Sequence, residues 1–379
     1  MSSFAYYRFP HASQDTRLVL SGGEPEELRE LSQLNGRRGF VLAPFVTTDD
    51  CPILLFPEER CEISKERGTT DKEQGLKDEE QGARSEGQNQ EAYSRCFARF
   101  HEALCAGRFV KLVLSRSETV SAEPYDPVAL YERACALYPR MFVALVSAPR
   151  CGTWLMATPE VLLRREKTSG QAQGAGEVFG TMALAGTMKL EGELLEFDNP
   201  SQELVQQIRW SQKNIQEQRY VASYVRDCLK DFSTHIEEEG PYTTRAANLV
   251  HLRSDFRFVL DNDAPLGSLL AALHPTPAVC GTPKEEARDF ILANESHSRK
   301  YYSGFCGPLG EALYVSLRCM QIDGPRYRLY AGGGLLRDSI EQQEWEETEA
   351  KMQTMRTLLI QNSKLQPLPY NLFPITSSL

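Results

Sequence analysis

The chain has 379 residues, 41% of them hydrophobic and 25% charged, which is enough apolar material for a sizeable core in one large domain or in two to three smaller ones. Its formal charge of −10 argues against nucleic acid as a partner, because phosphate binding needs a concentrated basic surface. No apolar run approaches the length of a bilayer span, and residues 1–10 lack the basic flank, apolar stretch and cleavage pattern of a signal peptide, so a cytoplasmic location with no membrane association is expected. The ten cysteines are scattered without a Cys-x-x-Cys pair or zinc-like spacing to His, and they read as buried free thiols.

Residues 62–91 break the composition: the stretch is charged, almost free of large apolar side chains, and expected to be a flexible insert separating a smaller N-terminal part from the main body. A second such patch is 168–176. Tyr93, Phe97, Phe100 and Leu104 repeat at helical spacing, with Gly107 as a stop. A β-rich run follows at 109–115, then a helix opened by Asp126-Pro127 with Leu130, Ala134 and Leu137 on its apolar face. Strand-like runs come next at 141–148, 153–157, 161–165 and 177–186. A long helix is expected from about Asn199-Pro200 to Asp231, and a short one after Thr282-Pro283-Lys284-Glu285, which has the form of a capping box. Strands at 311–322 and 326–331 and a final helix over 342–360 complete the order. Strands that follow one another without regular helical crossovers point to a mixed or antiparallel α+β fold.

Polar residues stand where the periodicity calls for apolar ones. In the last helix Glu344, Glu347, Lys351, Met355 and Leu358 share one face, and two carboxylates three apart suit a hard cation with oxygen ligands; a solvated acidic first turn has the same pattern. Glu217 ends the apolar stripe Val221, Tyr224, Cys228 of the long helix, as a third carboxylate or as a boundary residue. Lys111 lies between Val110 and Leu112. Turned inward it would have its pKa lowered and could act as a general base; at a sheet edge it would snorkel to water. Glu160 follows Thr158-Pro159 at a strand end, a usual place for functional and for solvated side chains alike. Gly332, Gly333 and Gly334 end a strand and match no nucleotide-binding pattern.

Together these segments resemble the chorismate-utilising enzymes, the family of isochorismate synthase, salicylate synthase, anthranilate synthase component I and aminodeoxychorismate synthase. The resemblance spans about 92–360. It is carried in order by KLVLSR at 111–116, ATPE at 157–160, LAGT at 184–187, 211–221, VHL at 250–252, LHPTPA at 273–278, GTP at 281–283, the Glu295…Arg299…Tyr302…Gly304…Gly307 series, SLR at 316–318, AGGG at 331–334, and EWEET at 344–348 with Lys351. It implies two packed, mainly antiparallel β-sheets flanked by helices, with the active site between the sheets. It divides the chain into 1–61 as a weakly matched N-terminal part of the fold, the 62–91 insert, 92–362 as the chorismate-binding catalytic region and 363–379 as a tail.

The resemblance assigns Lys111 as general base and Glu160 as general acid in a magnesium-dependent (Mg2+) conversion of chorismate to isochorismate for menaquinone or siderophore synthesis. It assigns Glu217, Glu344 and Glu347 to the metal, and Gly186, Thr187, His251, Tyr302, Arg318, Gly332 and Lys351 to the substrate. Ala185, where aminodeoxychorismate synthases carry a nucleophilic lysine, implies that water is added and that no amidotransferase subunit is needed. Ala278 fits isochorismate synthases better than relatives that go on to eliminate pyruvate, as a salicylate synthase does. Asn214 stands where many relatives have Asp or Glu, and Gln218 where they often have His; a non-catalytic chorismate-binding regulator would follow if both disabled the site. A monomer is expected.

Overall fold

The computed structural model describes residues 3–12, 17–20, 23–57, 61–63, 84–87, 90–166, 177–189, 208–246, 249–261 and 264–360. The strands in chain order are β1 (Phe4–Arg8), β2 (Arg17–Leu20), β3 (Glu26–Leu28), β4 (Gly39–Ala43), β5 (Ile53–Phe56), β6 (Cys61–Ile63) and β7 (Arg84–Gly87). Helix α1 (Gln90–Cys105), β8 (Lys111–Ser121) and α2 (Pro127–Leu137) lead into β9 (Phe142–Ala148), β10 (Gly152–Thr158), β11 (Val161–Arg165) and β12 (Val178–Lys189). After α3 (Gln212–Lys230) come β13 (Ile236–Ala246), β14 (Leu249–Val259), α4 (Leu266–Leu273), β15 (Gly281–Thr282) and α5 (Lys284–Asn294). The chain closes with β16 (Phe305–Leu309), β17 (Ala312–Val315), β18 (Cys319–Asp323), β19 (Arg326–Leu335) and α6 (Glu341–Leu359).

Among the described residues these strands form a ten-stranded sheet, β15-β8-β19-β18-β10-β9-β1-β2-β6 with β7 also on β8, and a nine-stranded sheet, β13-β14-β12-β11-β17-β16-β4-β5-β3. The pairings that join them are antiparallel. The sheets pack face to face, and the alternation of the strands says why. In β9, Phe142, Ala144 and Val146 face the other sheet, while Val143 and Leu145 face α2 and α6. In β4, Phe40 and Leu42 meet that same inter-sheet core, while Val41 and Ala43 join the cluster under α3 and α4. Strands covered on both faces read as continuous apolar runs rather than alternating ones. The α+β architecture of two antiparallel sheets with flanking helices is therefore as the sequence predicts.

Several boundaries differ from expectation. The long helix starts at Gln212, not near Asn199: residues 190–207 lie outside those described, 208–210 are not helical, and the Ser211 side chain caps the first turn by accepting from Asn214 N at 3.2 Å. The capping box at 282–285 does not form, because Pro283 itself is the N-cap and no side chain caps α5. Most of 62–91 and all of 168–176 and 363–379 lie outside the described residues. Within the insert, however, Arg84–Gly87 pair with Glu118–Ser121 as β7, and α1 already begins at Gln90. The N-terminal strands do not form a separate unit: β1 pairs with β9 and β4 with β16, one in each sheet. No helix among the described residues is long and apolar enough to cross a membrane. Of the ten cysteines, the nine whose side chains are described are free thiols.

Candidate active site

Between the sheets lies a small, open cavity of about 50 Å³. Its lining gathers Glu160 from the β10–β11 turn, Leu184–Thr187 of β12, His251 of β14, Glu217 of α3, Tyr302, Arg318, Gly332 and Gly334 of β19, and Lys351 of α6. The residues singled out from the sequence thus converge from distant segments. Lys111 stands just behind the lining: an added Cβ at Gly334 would collide with Glu217 and come within 2.8 Å of the Lys111 Cε. Gly332 and Gly334 are needed for this close approach, since a side chain at Gly332 would meet the Tyr302 hydroxyl at 2.9 Å. Tyr302 is itself fixed by stacking on Tyr330, with ring centroids 5.5 Å apart.

On one side of the cavity a buried acid and a buried imidazole are both uncharged, next to one arginine. Glu160 is 2% exposed, and burial pushes its carboxyl up to about 8 against the pull of Lys111, Lys351 and Arg318. It is therefore an uncharged acid at neutral pH. His251 is buried and held well below its ordinary pKa, first by burial and then by Arg318 and Lys351. Its Nδ1 lies 3.2 Å from the Gly186 carbonyl and 3.3 Å from Thr187 Oγ1, and its Nε2 lies 3.1 Å from Arg318 Nη2. A carbonyl can only accept, so Nδ1 carries the proton and Nε2 accepts from Arg318. Arg318 adopts a left-handed backbone at φ 44, and its Nη1 is buried with no partner, a donor available to an anion. Burial lowers its pKa only to about 10, so it remains a cation.

The other side is built from ion pairs. Lys111 is fully buried, with Nζ 2.9 Å from Glu217 Oε1, close enough for an ion pair though not aligned as a hydrogen bond. Lys213 pairs with Glu344, and Lys351 reaches Glu347 Oε1 at 2.6 Å and the Gly332 carbonyl at 2.8 Å. Burial pushes the Glu217 carboxyl up, but Lys111 and Lys213 prevail and hold it below its ordinary value. Burial and the neighbouring Glu347 raise Glu344 to about 7 in spite of Lys213. Lys213 escaped the sequence reading. Its signal was present, four residues before Glu217 and so on the same helical face.

The donor set fits a hard divalent cation. Glu344 and Glu347 both lie beside Gly333, where an added Cβ would sit 3.3 Å and 3.6 Å from their oxygens, and Glu344 Oε2 is buried without a partner. Two carboxylates brought together in a dry place are donors of the kind a hard dication would take. Among the described residues no three His, Cys, Asp or Glu side chains are already assembled as a metal cluster, since lysines hold the three carboxylates individually. Gln218 and Asn214 are turned to the backbone: Gln218 bonds Ala185 N and Ala183 O, and Asn214 Nδ2 lies 3.4 Å from the Thr187 carbonyl.

The cavity between the two antiparallel sheets thus sets a neutral buried acid beside cations and a rank of paired carboxylates. The chain belongs to the family of chorismate binding enzymes, whose model matches residues 31–360. It is 33% identical over 263 residues to isochorismate synthase DhbC of Bacillus subtilis, covering 66% of this chain and 63% of that protein. It is 34% identical over 270 residues to the salicylate biosynthesis isochorismate synthase of Pseudomonas aeruginosa, covering 69% and 53%. The chain thus spans less than two thirds of the length of these relatives. Among solved structures it resembles isochorismate synthase DhbC of Bacillus anthracis, with a TM-score of 0.73, 25% identity, and coverage of 94% of this chain and 96% of that one.

Proposed function

We propose that this protein is a magnesium-dependent isochorismate synthase, converting chorismate to isochorismate by adding water at C2 and expelling the C4 hydroxyl. The observation that carries the reading is Glu160, an acid kept protonated to about pH 8 in a cavity that also presents cationic Arg318 and Lys351. In this role Glu160 donates its proton to the departing hydroxyl, which leaves as water, and the Lys111 amine takes the proton from the water attacking C2. As the ammonium of an ion pair with Glu217, Lys111 has no lone pair and must first give up its proton before it can act as a base. Arg318, through its unpaired Nη1, and Lys351 would bind substrate carboxylate. Glu217, Glu344 and Glu347 would hold magnesium, which supplies charge stabilisation at the ring carboxylate when bound.

Ala185 and Ala278 both line the cavity and leave apolar space where relatives with other outcomes carry reactive or hydroxyl-bearing side chains. In this reading the chain needs no amidotransferase partner and works as a monomer, and its product serves menaquinone or siderophore synthesis. Product analysis by liquid chromatography, with purified protein, chorismate and magnesium, tests the proposal. Isochorismate as the sole product supports it. Accumulation of salicylate without a second protein would favour the salicylate synthase reading, and unchanged chorismate would favour a non-catalytic binder.

A further inference from the structure

The cavity wall at Leu184–Thr187 is held by a side chain that does not line the cavity. β12 and β14 run in register to Ala185 opposite Leu252 and resume with Thr187 opposite His251, so Gly186 is an extra residue in a β-bulge, at φ 72. On its other side β12 pairs with β11 at Gly180 and Phe179, and among the described residues the backbone from Ala183 onward has no strand partner there. The Gln218 carboxamide stands in for one. Its Oε1 accepts from Ala185 N at 2.9 Å, and its Nε2 donates to Ala183 O at 3.1 Å and reaches Ser254 Oγ of β14 at 3.2 Å. Gln218 is 2% exposed, so water does not compete for these bonds.

A carboxamide meets both demands at once in every protonation state of the site. A carboxylate cannot donate to Ala183 O, and a neutral imidazole has one donor and one acceptor on diverging axes. The bulge that Gln218 closes determines where the Gly186 carbonyl points, and that carbonyl is the acceptor for His251 Nδ1. An added side chain at Gly186 would meet Asn214 of the same helix at 3.0 Å, so α3 and the bulge fit together closely.

We infer that Gln218 is a positioning residue: it holds the Ala185–Gly186 bulge in place and, through the Gly186 carbonyl, selects the Nδ1–H form of His251 that accepts from Arg318 and aims it into the cavity. Its kinetic consequence rests on the isochorismate synthase reading; its structural consequence does not.

The test compares wild type with Gln218→Leu, Gln218→His and Ser254→Ala, reading the His251 ring nitrogens by 15N-edited NMR and folding by near-ultraviolet circular dichroism. Wild type and Ser254→Ala should show a protonated Nδ1 and a bare Nε2, and whichever Gln218 variant folds should show both nitrogens shifted toward tautomer exchange. In the same variant KM for chorismate should rise about tenfold while kcat changes less than about threefold, because the change falls on substrate placement. An unchanged His251 spectrum in a folded Gln218 variant would overturn the inference. If wild type does not turn over chorismate, the functional reading fails while the NMR comparison still decides this one.

Discussion

The two sides of the cavity handle ionisable groups in opposite ways. On the Glu160–His251 side, burial removes charge: the acid keeps its proton to about pH 8 and the imidazole is neutral. On the Glu217–Glu344–Glu347 side, Lys111, Lys213 and Lys351 each stand against a carboxylate; Glu217 is held below its ordinary value while Glu344 is pushed up to about 7. Glu160 and Glu217 differ in their partners. Glu160 has cations nearby but no ion pair, so desolvation wins, whereas Glu217 lies 2.9 Å from an ammonium and attraction wins. A site with a neutral proton donor beside a set of paired charges can protonate a leaving group.

Breaking the Glu160–His251 side should have the largest effect. Glu160→Gln keeps the shape and removes the proton, and kcat should fall about 10³-fold, the scale of a lost general acid, as measured by steady-state assay. Its effect on stability has the opposite sign. The folded carboxyl binds a proton up to about pH 8 while the unfolded one releases it near 4.5, so this group costs stability increasingly as pH rises between those values and by a constant amount above them. Glu160→Gln should therefore melt higher than wild type at pH 8 and alike at pH 4. Activity of wild type should decline as pH rises through about 8.

Breaking the charged side at Lys111 comes next. Lys111→Met should lower kcat about 10²-fold or more and also destabilise by about 3 kcal/mol, because it leaves a buried Glu217 carboxylate without its partner. Denaturant melts and kinetics on the same preparation check both; a fully active variant would remove Lys111 from the chemistry. Chelation with EDTA should stop turnover and added magnesium should restore it, and undiminished activity in EDTA would dismiss the metal. The smallest effect is expected at Lys213, whose ammonium competes for Glu344. Lys213→Met should tighten magnesium binding a few-fold by calorimetry, since it removes a positive charge next to the ligands.

The sequence disclosed the charged side better than the architecture around it. Glu344, Glu347 and Lys351 on one face with Met355 and Leu358 are a helical pattern, and helical periodicity is local; Met355 and Leu358 are indeed buried. The α2 start was equally legible, because Asp126 accepts from Val128 N at 3.1 Å ahead of a proline. The short strands β1–β6 were not: β1 and β4 are anchored in the two sheets by β9 and β16, more than a hundred residues away, as in Phe4 opposite Ser147, and such partners leave no local trace. The β13–β14 hairpin was also missed, although Val250, Leu252, Ser254, Phe256 and Phe258 alternate inward. The resemblance, rather than periodicity, put Glu160 and Arg318 into the site. Nothing local marks a solvated strand-end Glu as different from a buried one; only the folded surroundings lift it to about 8.

The central claim is that Glu160 is a neutral acid at working pH. Infrared difference spectroscopy on wild type against Glu160→Gln, titrated from pH 5 to pH 10, reads it directly. The account predicts a protonated carboxyl band, absent from the variant, that persists through pH 7 and disappears around pH 8. A Glu160 carboxylate already ionised at pH 6 would contradict it.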